Sequence, residues 1–168
     1  MNKKKFLVIS PIALLFIAVF ASLTPLALAN PTYLFSYVTH GTINGGYVGS
    51  PSNIVGTGPD NNWAQIHGSV PNRGGWIIGG MSAPVTAGSY ICVYAKCAAG
   101  YTNSLLSVYV SSSAYGTYYL AGSAVISTTS GTWYYFVAPA YPNPFRYIYV
   151  QGLGDAPVSI FIDSILTM

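Results

Sequence analysis

The stretch PNPFRYIYVQGLGDAPVSIFIDSILTM, residues 142–168, decides the fold. From Phe145 to Val150 every residue except Arg146 is aromatic or β-branched, and the same bias returns from Val158 to Leu166. Gly152, Gly154, Asp155 and Pro157 stand between the two runs as turn formers. The segment therefore reads as two strands joined in a hairpin. Both arms are apolar on both faces, so they are expected to be inner strands, with the remaining strands laid beside or over them. That arrangement is a β-sandwich.

Upstream, the chain carries its own punctuation. Asn30–Gly46 sets Tyr33, Phe35, Tyr37 and Thr39 on alternate positions and reads as an arm or a first strand. Residues 45–62 are dominated by Gly, Ser, Pro, Asn and Asp, which predicts a long ordered loop. Short strands follow at Trp63–His67 and Trp76–Met81, then clearer ones at Ser89–Ala95, Ser104–Ser111, Thr117–Ser127 with a break at Gly122, and Thr132–Ala138. With the closing pair this predicts an all-β antiparallel sandwich of eight or nine strands. Alternation sends Ile91, Val93, Leu106, Val108, Val110, Ile148 and Val150 inward. It gathers Tyr90, Tyr94, Tyr109, Tyr147 and Tyr149 outside, with Tyr134 or Tyr135. Fifteen tyrosines are too many for a core, because each buried phenol needs a polar partner.

The N-terminus predicts an address. Lys3, Lys4 and Lys5 precede an apolar run from Phe6 to Leu23, then Pro25 and the triplet Ala27, Leu28, Ala29. Residues 1–29 read as a secretory signal cleaved after Ala29. An uncleaved membrane anchor is the alternative, since the run approaches the length that spans a bilayer. Residues 30–46 are then the arm or first strand and 47–168 the sandwich domain. Beyond Ala29 the charged side chains are Arg73, Lys96 and Arg146 against Asp60, Asp155 and Asp163, which sum to zero. A nucleic-acid partner is not supported despite the basic whole-chain balance. So few charges suit either a surface covered by a wall, a matrix or other copies, or one that Ser, Thr, Asn and Tyr keep wet.

Cys92 and Cys97 stand five apart. Along one strand their Cα atoms would lie about 16 Å apart, beyond the reach of a disulfide. The expectation is a small buried Cys92 and a Cys97 that is either a free thiol or a link to another subunit.

Chemistry is sparse. No G-x-S-x-G elbow occurs, and AGSAV at 121–125 and GGMSA at 79–83 lack the pattern. The three aspartates fall in three different elements, which does not suit a glycosidase pair. His40 and His67 have no Cys or Ser neighbour at a recognisable spacing. A non-enzymatic protein is expected.

The order NIVGTGPDNNWAQI (53–66), WIIGGM (76–81), GSYICVYAK (88–96), LLSVYVSS (105–112), GTWYYF (131–136), FRYIYVQG (145–152) and FIDSI (161–165) resembles galactose-binding-like jelly rolls. This is the discoidin or coagulation factor 5/8 type C family with its carbohydrate-binding-module relatives. The likeness runs from about Val48 to the end. The family's paired terminal cysteines and most of its surface charges are missing. The resemblance implies that Asp163, near the end of the last strand, lies close to the loop holding Asp60. Two such acids beside carbonyl-rich loop backbone suit a structural calcium ion; the alternative is that Asp60 only caps a turn while Asp163 is hydrogen-bonded at a strand end. Trp63, His67, Arg73, Trp76 and Tyr115, in or beside loops, are the expected ligand-binding residues. Two functions follow as expectations: a secreted, non-catalytic binding module for carbohydrate or a cell-surface polymer, or a structural subunit of an extracellular layer or filament that associates with itself. A membrane partner enters only if the signal is retained.

Overall fold

The computed structural model describes the backbone of residues 32–55 and 58–168 and the side chains from Thr39 onward. The expected signal segment, residues 1–29, lies outside the described residues.

Ten strands form among the described residues: β1 Thr32–Ile43, β2 Tyr47–Gly49, β3 Ala64–Gly68, β4 Gly74–Val85, β5 Tyr90–Cys97, β6 Ser104–Ser111, β7 Tyr119–Ile126, β8 Thr132–Val137, β9 Phe145–Gly152 and β10 Val158–Thr167. A single 3-10 turn, Pro51–Ile54, is the only helical piece among the described residues. Every pairing is antiparallel. One sheet, here sheet A, runs β2-β3-β10-β5-β8; the other, sheet B, runs β1-β4-β9-β6-β7. β1 joins them: Thr32 and Tyr33 pair with β10, and after a register shift between Leu34 and Tyr37 the strand continues along β4. Two stacked sheets are what strands apolar on one face require.

The tenth strand is β2, inside the segment read as an unbroken loop. Tyr47–Gly49 pairs with Gln65–His67, so the irregular connection begins only at Ser50. Three residues are too few to show an alternation.

The expected hairpin of β9 and β10 does not form. β9 lies between β4 and β6 in sheet B, whereas β10 lies between β3 and β5 in sheet A. The turn residues 153–157 carry the chain from one sheet to the other. They are tied down by the Leu153 N–H donating to the Leu105 carbonyl (3.2 Å) and the Asn72 N–H donating to that of Gly154 (2.9 Å). Apolar runs on both faces identify inner strands, as expected, but inner strands of opposite sheets satisfy that pattern as well as neighbours in one sheet.

The interior is filled by the inward residues of both sheets, among them Ile66, Ile91, Val93, Ile160 and Ile162 from sheet A and Ile77, Leu106, Val108, Ile148 and Val150 from sheet B, all at most 1% exposed. Burying each such side chain stabilises by about 1.5–3 kcal/mol relative to exposure. The register is thereby fixed, because a slip of one residue would turn every aliphatic outward. Tyr135 is exposed, whereas Tyr134 packs against the core.

Candidate functional site

The five residues expected to bind ligand do not converge. Trp63 and His67 flank and occupy β3 at the outer side of sheet A. Trp76 lies on β4 in sheet B, Arg73 on the exposed β3–β4 turn, and Tyr115, 90% exposed, on the β6–β7 connection. His67 sets its ring edge-on to Tyr101 (5.6 Å), with a buried Nδ1 that has no hydrogen-bond partner among the described residues.

What does assemble around Trp63 is an aromatic row across sheet A. β5 sets Tyr94 opposite Trp133 of β8, and the loop before β3 lays Trp63 on the other side of Tyr94. The ring centroids are 5.7 Å apart for Trp63 and Tyr94, nearly stacked at 29°, and 5.1 Å for Tyr94 and Trp133, tilted at 52°. All three rings are half-buried. A Cβ at Gly131 would sit 2.6 Å from Cζ of Tyr94, so the absence of a side chain there lets the ring lie flat over the backbone. Lys96, two residues along the same face of β5, holds its Nζ 4.0 Å from the Trp63 centroid and 5.8 Å from that of Phe161. Such a cation–π contact is worth about 0.5–1 kcal/mol at an exposed site and positions an ammonium donor beside the row.

Sheet B carries a second aromatic group of different character. Tyr149 is its hub, stacking on Trp76 (5.8 Å, 23°) and meeting Tyr109 (5.3 Å, 79°) and Tyr118 (5.3 Å, 47°). The Trp76 ring lies against Gly41, where any side chain would collide with it. The Tyr118 hydroxyl donates to the Ala114 carbonyl at 2.9 Å. Burial, then neighbouring tyrosines, push the phenols of Tyr149 and Tyr118 up to about 12. Trp76, like Trp63, is half-buried and stacked on one tyrosine.

Asp60 and Asp163 meet. The Asp163 carboxylate accepts the backbone N–H of Asp60 (Oδ1, 3.2 Å) and of Asn61 (Oδ2, 2.8 Å), while that of Asp60 accepts the N–H of Asn62 (2.9 Å) and its side-chain amide (2.8 Å). Asn61 takes the left-handed conformation, φ 68°, which turns its N–H toward Asp163. The bonds from Asn62 lower the Asp60 carboxyl below its usual range. Burial raises that of Asp163, with the two N–H donors pulling the other way. All four oxygens thus accept an N–H, which satisfies part of their accepting capacity. Among the described residues no group of three His, Cys, Asp or Glu side chains is arranged to hold a metal.

Both cysteines are free and buried; Cys97 donates its thiol to the Thr128 carbonyl (3.3 Å). Of the two readings left open for Cys97, its burial favours the free thiol.

No protein-family model matches the chain, and no curated protein is detectably similar in sequence. Solved structures are similar in shape. Chitosan-binding module 1 of a chitosanase/glucanase from Paenibacillus sp. IK-5 superposes with a TM-score of 0.54 at 13% identity, over 83% of this chain and 99% of that one. The fold is the galactose-binding-like β-sandwich. Another such sandwich is the CBM32 module of AlyQ, solved in complex with 4,5-unsaturated mannuronic acid, with a TM-score of 0.52 at 19% identity over 81% of this chain and 96% of that one. A third is the K2 cleaved adhesin domain of Lys-gingipain, with a TM-score of 0.53 at 12% identity over 78% and 89%. At these identities the likeness is one of galactose-binding-like fold. The sequence missed Trp133 because its place beside Tyr94 depends on the β5–β8 register; alternation had already put Tyr94 outside.

Proposed function

We propose that the protein is a secreted, non-catalytic carbohydrate-binding module. The observation that carries this reading is the row Trp63, Tyr94, Trp133 with Lys96 beside it. Neighbouring rings with centroids 5.7 and 5.1 Å apart offer apolar surface to the C–H faces of sugars, and the ammonium over Trp63 can donate to a hydroxyl. The fold supports it, since galactose-binding-like neighbours include a chitosan-binding module and a module solved with a mannuronic acid. Affinity gel electrophoresis in neutral polysaccharides tests it. Retardation of the wild type that disappears in Tyr94→Ala and Trp133→Ala is expected; retardation unchanged by both would remove the row from the site.

A second reading, a self-associating subunit of an extracellular layer, draws on the sheet edges. Among the described residues β7 pairs only with β6 and β8 only with β5. Neither strand has a charge or a proline, and Leu120, Val125, Tyr135 and Val137 are exposed on them. Edges left this plain invite pairing with another chain. Sedimentation velocity over a range of concentrations separates the readings: a constant monomer supports the module, growing polymers the subunit.

A further inference from the structure

At the end of the sandwich where β4 stops, the β8–β9 connection folds back to leave an open groove of about 360 Å³, lined by Pro84, Ser112, Tyr141, Asn143, Pro144 and Arg146 among others. None of these belongs to the aromatic row. Tyr141 is 64% exposed, and its ring is held edge-on against Tyr119 at 4.9 Å and 89°. Asn143 uses its Oδ1 to accept the Ala87 N–H at 3.2 Å, so its NH2 remains as a donor. Arg146 is the one charged residue of the lining. The chain's three acids are elsewhere, Asp60 and Asp163 clasped together and Asp155 on the β9–β10 connection. The prolines restrict the backbone that carries Tyr141 and Asn143, so little order has to be imposed on binding.

An exposed ring fixed by its neighbour, an amide donor, a serine hydroxyl and a guanidinium with no acid in the lining form a complementary set. The ring suits a sugar face, the amide and hydroxyl its hydroxyls, and the guanidinium, with its planar fork of donors, a carboxylate or sulfate. We propose that this groove binds a saccharide bearing an anionic group, with Arg146 as the residue that selects the charge. The site is distinct from the row on sheet A and does not depend on it.

Isothermal titration of the protein with oligogalacturonate, its methyl-esterified counterpart, a sulfated oligosaccharide and a short acidic peptide tests this. Binding of the uronate or the sulfated sugar is expected, weakening as salt rises and at least tenfold weaker in Arg146→Gln and Tyr141→Ala. Which of the two anionic sugars binds more tightly distinguishes carboxylate from sulfate. Equal binding of the esterified oligomer that is itself lost in Tyr141→Ala, equal binding of the acidic peptide, an unaffected Arg146→Gln, or no binding of either anionic sugar overturns the proposal. Because Arg146 is exposed, its replacement should leave the melting curve in place, so lost binding cannot be ascribed to unfolding. Uronate binding without any binding of neutral saccharides would support the groove and sink the row, so the two assignments fail separately.

Discussion

Asp163 accepts the backbone N–H of Asn61 at 2.8 Å across 102 residues of chain, and through it the last strand fixes the loop that delivers Trp63 to the aromatic row. Asp163 is 2% exposed, so removing its carboxylate leaves two N–H groups, those of Asp60 and Asn61, facing a site that water reaches poorly. Each such orphan costs about 1–3 kcal/mol. Asp163→Ala is therefore expected to lower the unfolding free energy by roughly 2 kcal/mol or more in urea titrations and to weaken saccharide binding through Trp63. Asp60→Asn, altering two exposed local bonds from Asn62, should leave the urea midpoint close to where it was.

Cys92 and Cys97 offer a test of the β5 register. Cys97 pairs with Ile160 and Cys92 with Leu166, at separate positions along β10, and burial pushes the Cys92 thiol up to about 11. A buried thiol that holds its proton reacts slowly. In native protein at pH 8 both should resist a thiol reagent, and in denaturant without reductant both should label. A mass two units low with no labelling would mean that the strand ends before Cys97.

The sandwich was legible because alternation is a local signal: Leu106, Val108 and Val110 against Ser107, Tyr109 and Ser111 place one face inward whatever the strand pairs with. The partnership of β9 with β4 and β6 was not legible, since Tyr147, Ile148 and Tyr149 would look the same in a hairpin. The candidate sites divide along the same line. Tyr94 could be assigned to an outer face from its own strand, but its contacts with Trp63 and Trp133 depend on two non-local registers. The groove depends on the path of residues 139–144, where prolines and Asn143 announce a turn without saying which strand ends it meets. Asp60 and Asp163 came together as the family likeness implied, yet three of the four N–H donors that face them belong to backbone, which no side-chain pattern records.

The tyrosine cluster of sheet B predicts an alkaline transition. Tyr149 and Tyr118 favour the neutral phenol, chiefly through burial, so the folded state keeps these protons to about 12 while the unfolded chain releases them near 10.0. The folded state then binds more protons in that window, and stability falls as pH rises through it. The contribution is whole below pH 10 and lost by about 12. Urea midpoints should be level up to about pH 9.5 and decline above it, and Tyr149→Phe should flatten the decline. Tyrosinate absorbance should show these two phenols titrating last and together with unfolding. A midpoint that stayed constant to pH 12 would mean that the cluster is open to water.

The clasp bears on whether calcium binds between Asp60 and Asp163. A calcium ion takes about six to eight oxygen ligands, and one N–H on each carboxylate oxygen already satisfies part of their accepting capacity. In this geometry the loop is already satisfied by hydrogen bonds from Asp60, Asn61 and Asn62. The expectation is therefore that melting curves in excess calcium and in chelator superpose. The measurement is sensitive enough to decide: a ligand bound only by the folded state adds about 2.7 kcal/mol at 100 times its dissociation constant, which is a shift of several degrees in Tm for a domain of this size. A calcium-dependent rise of that order, abolished by Asp60→Asn, would mean that the loop turns its carbonyls inward around an ion and that the carboxylates serve as ligands. The absence of any rise would leave Asp163 as the acceptor that holds the loop by hydrogen bonds alone.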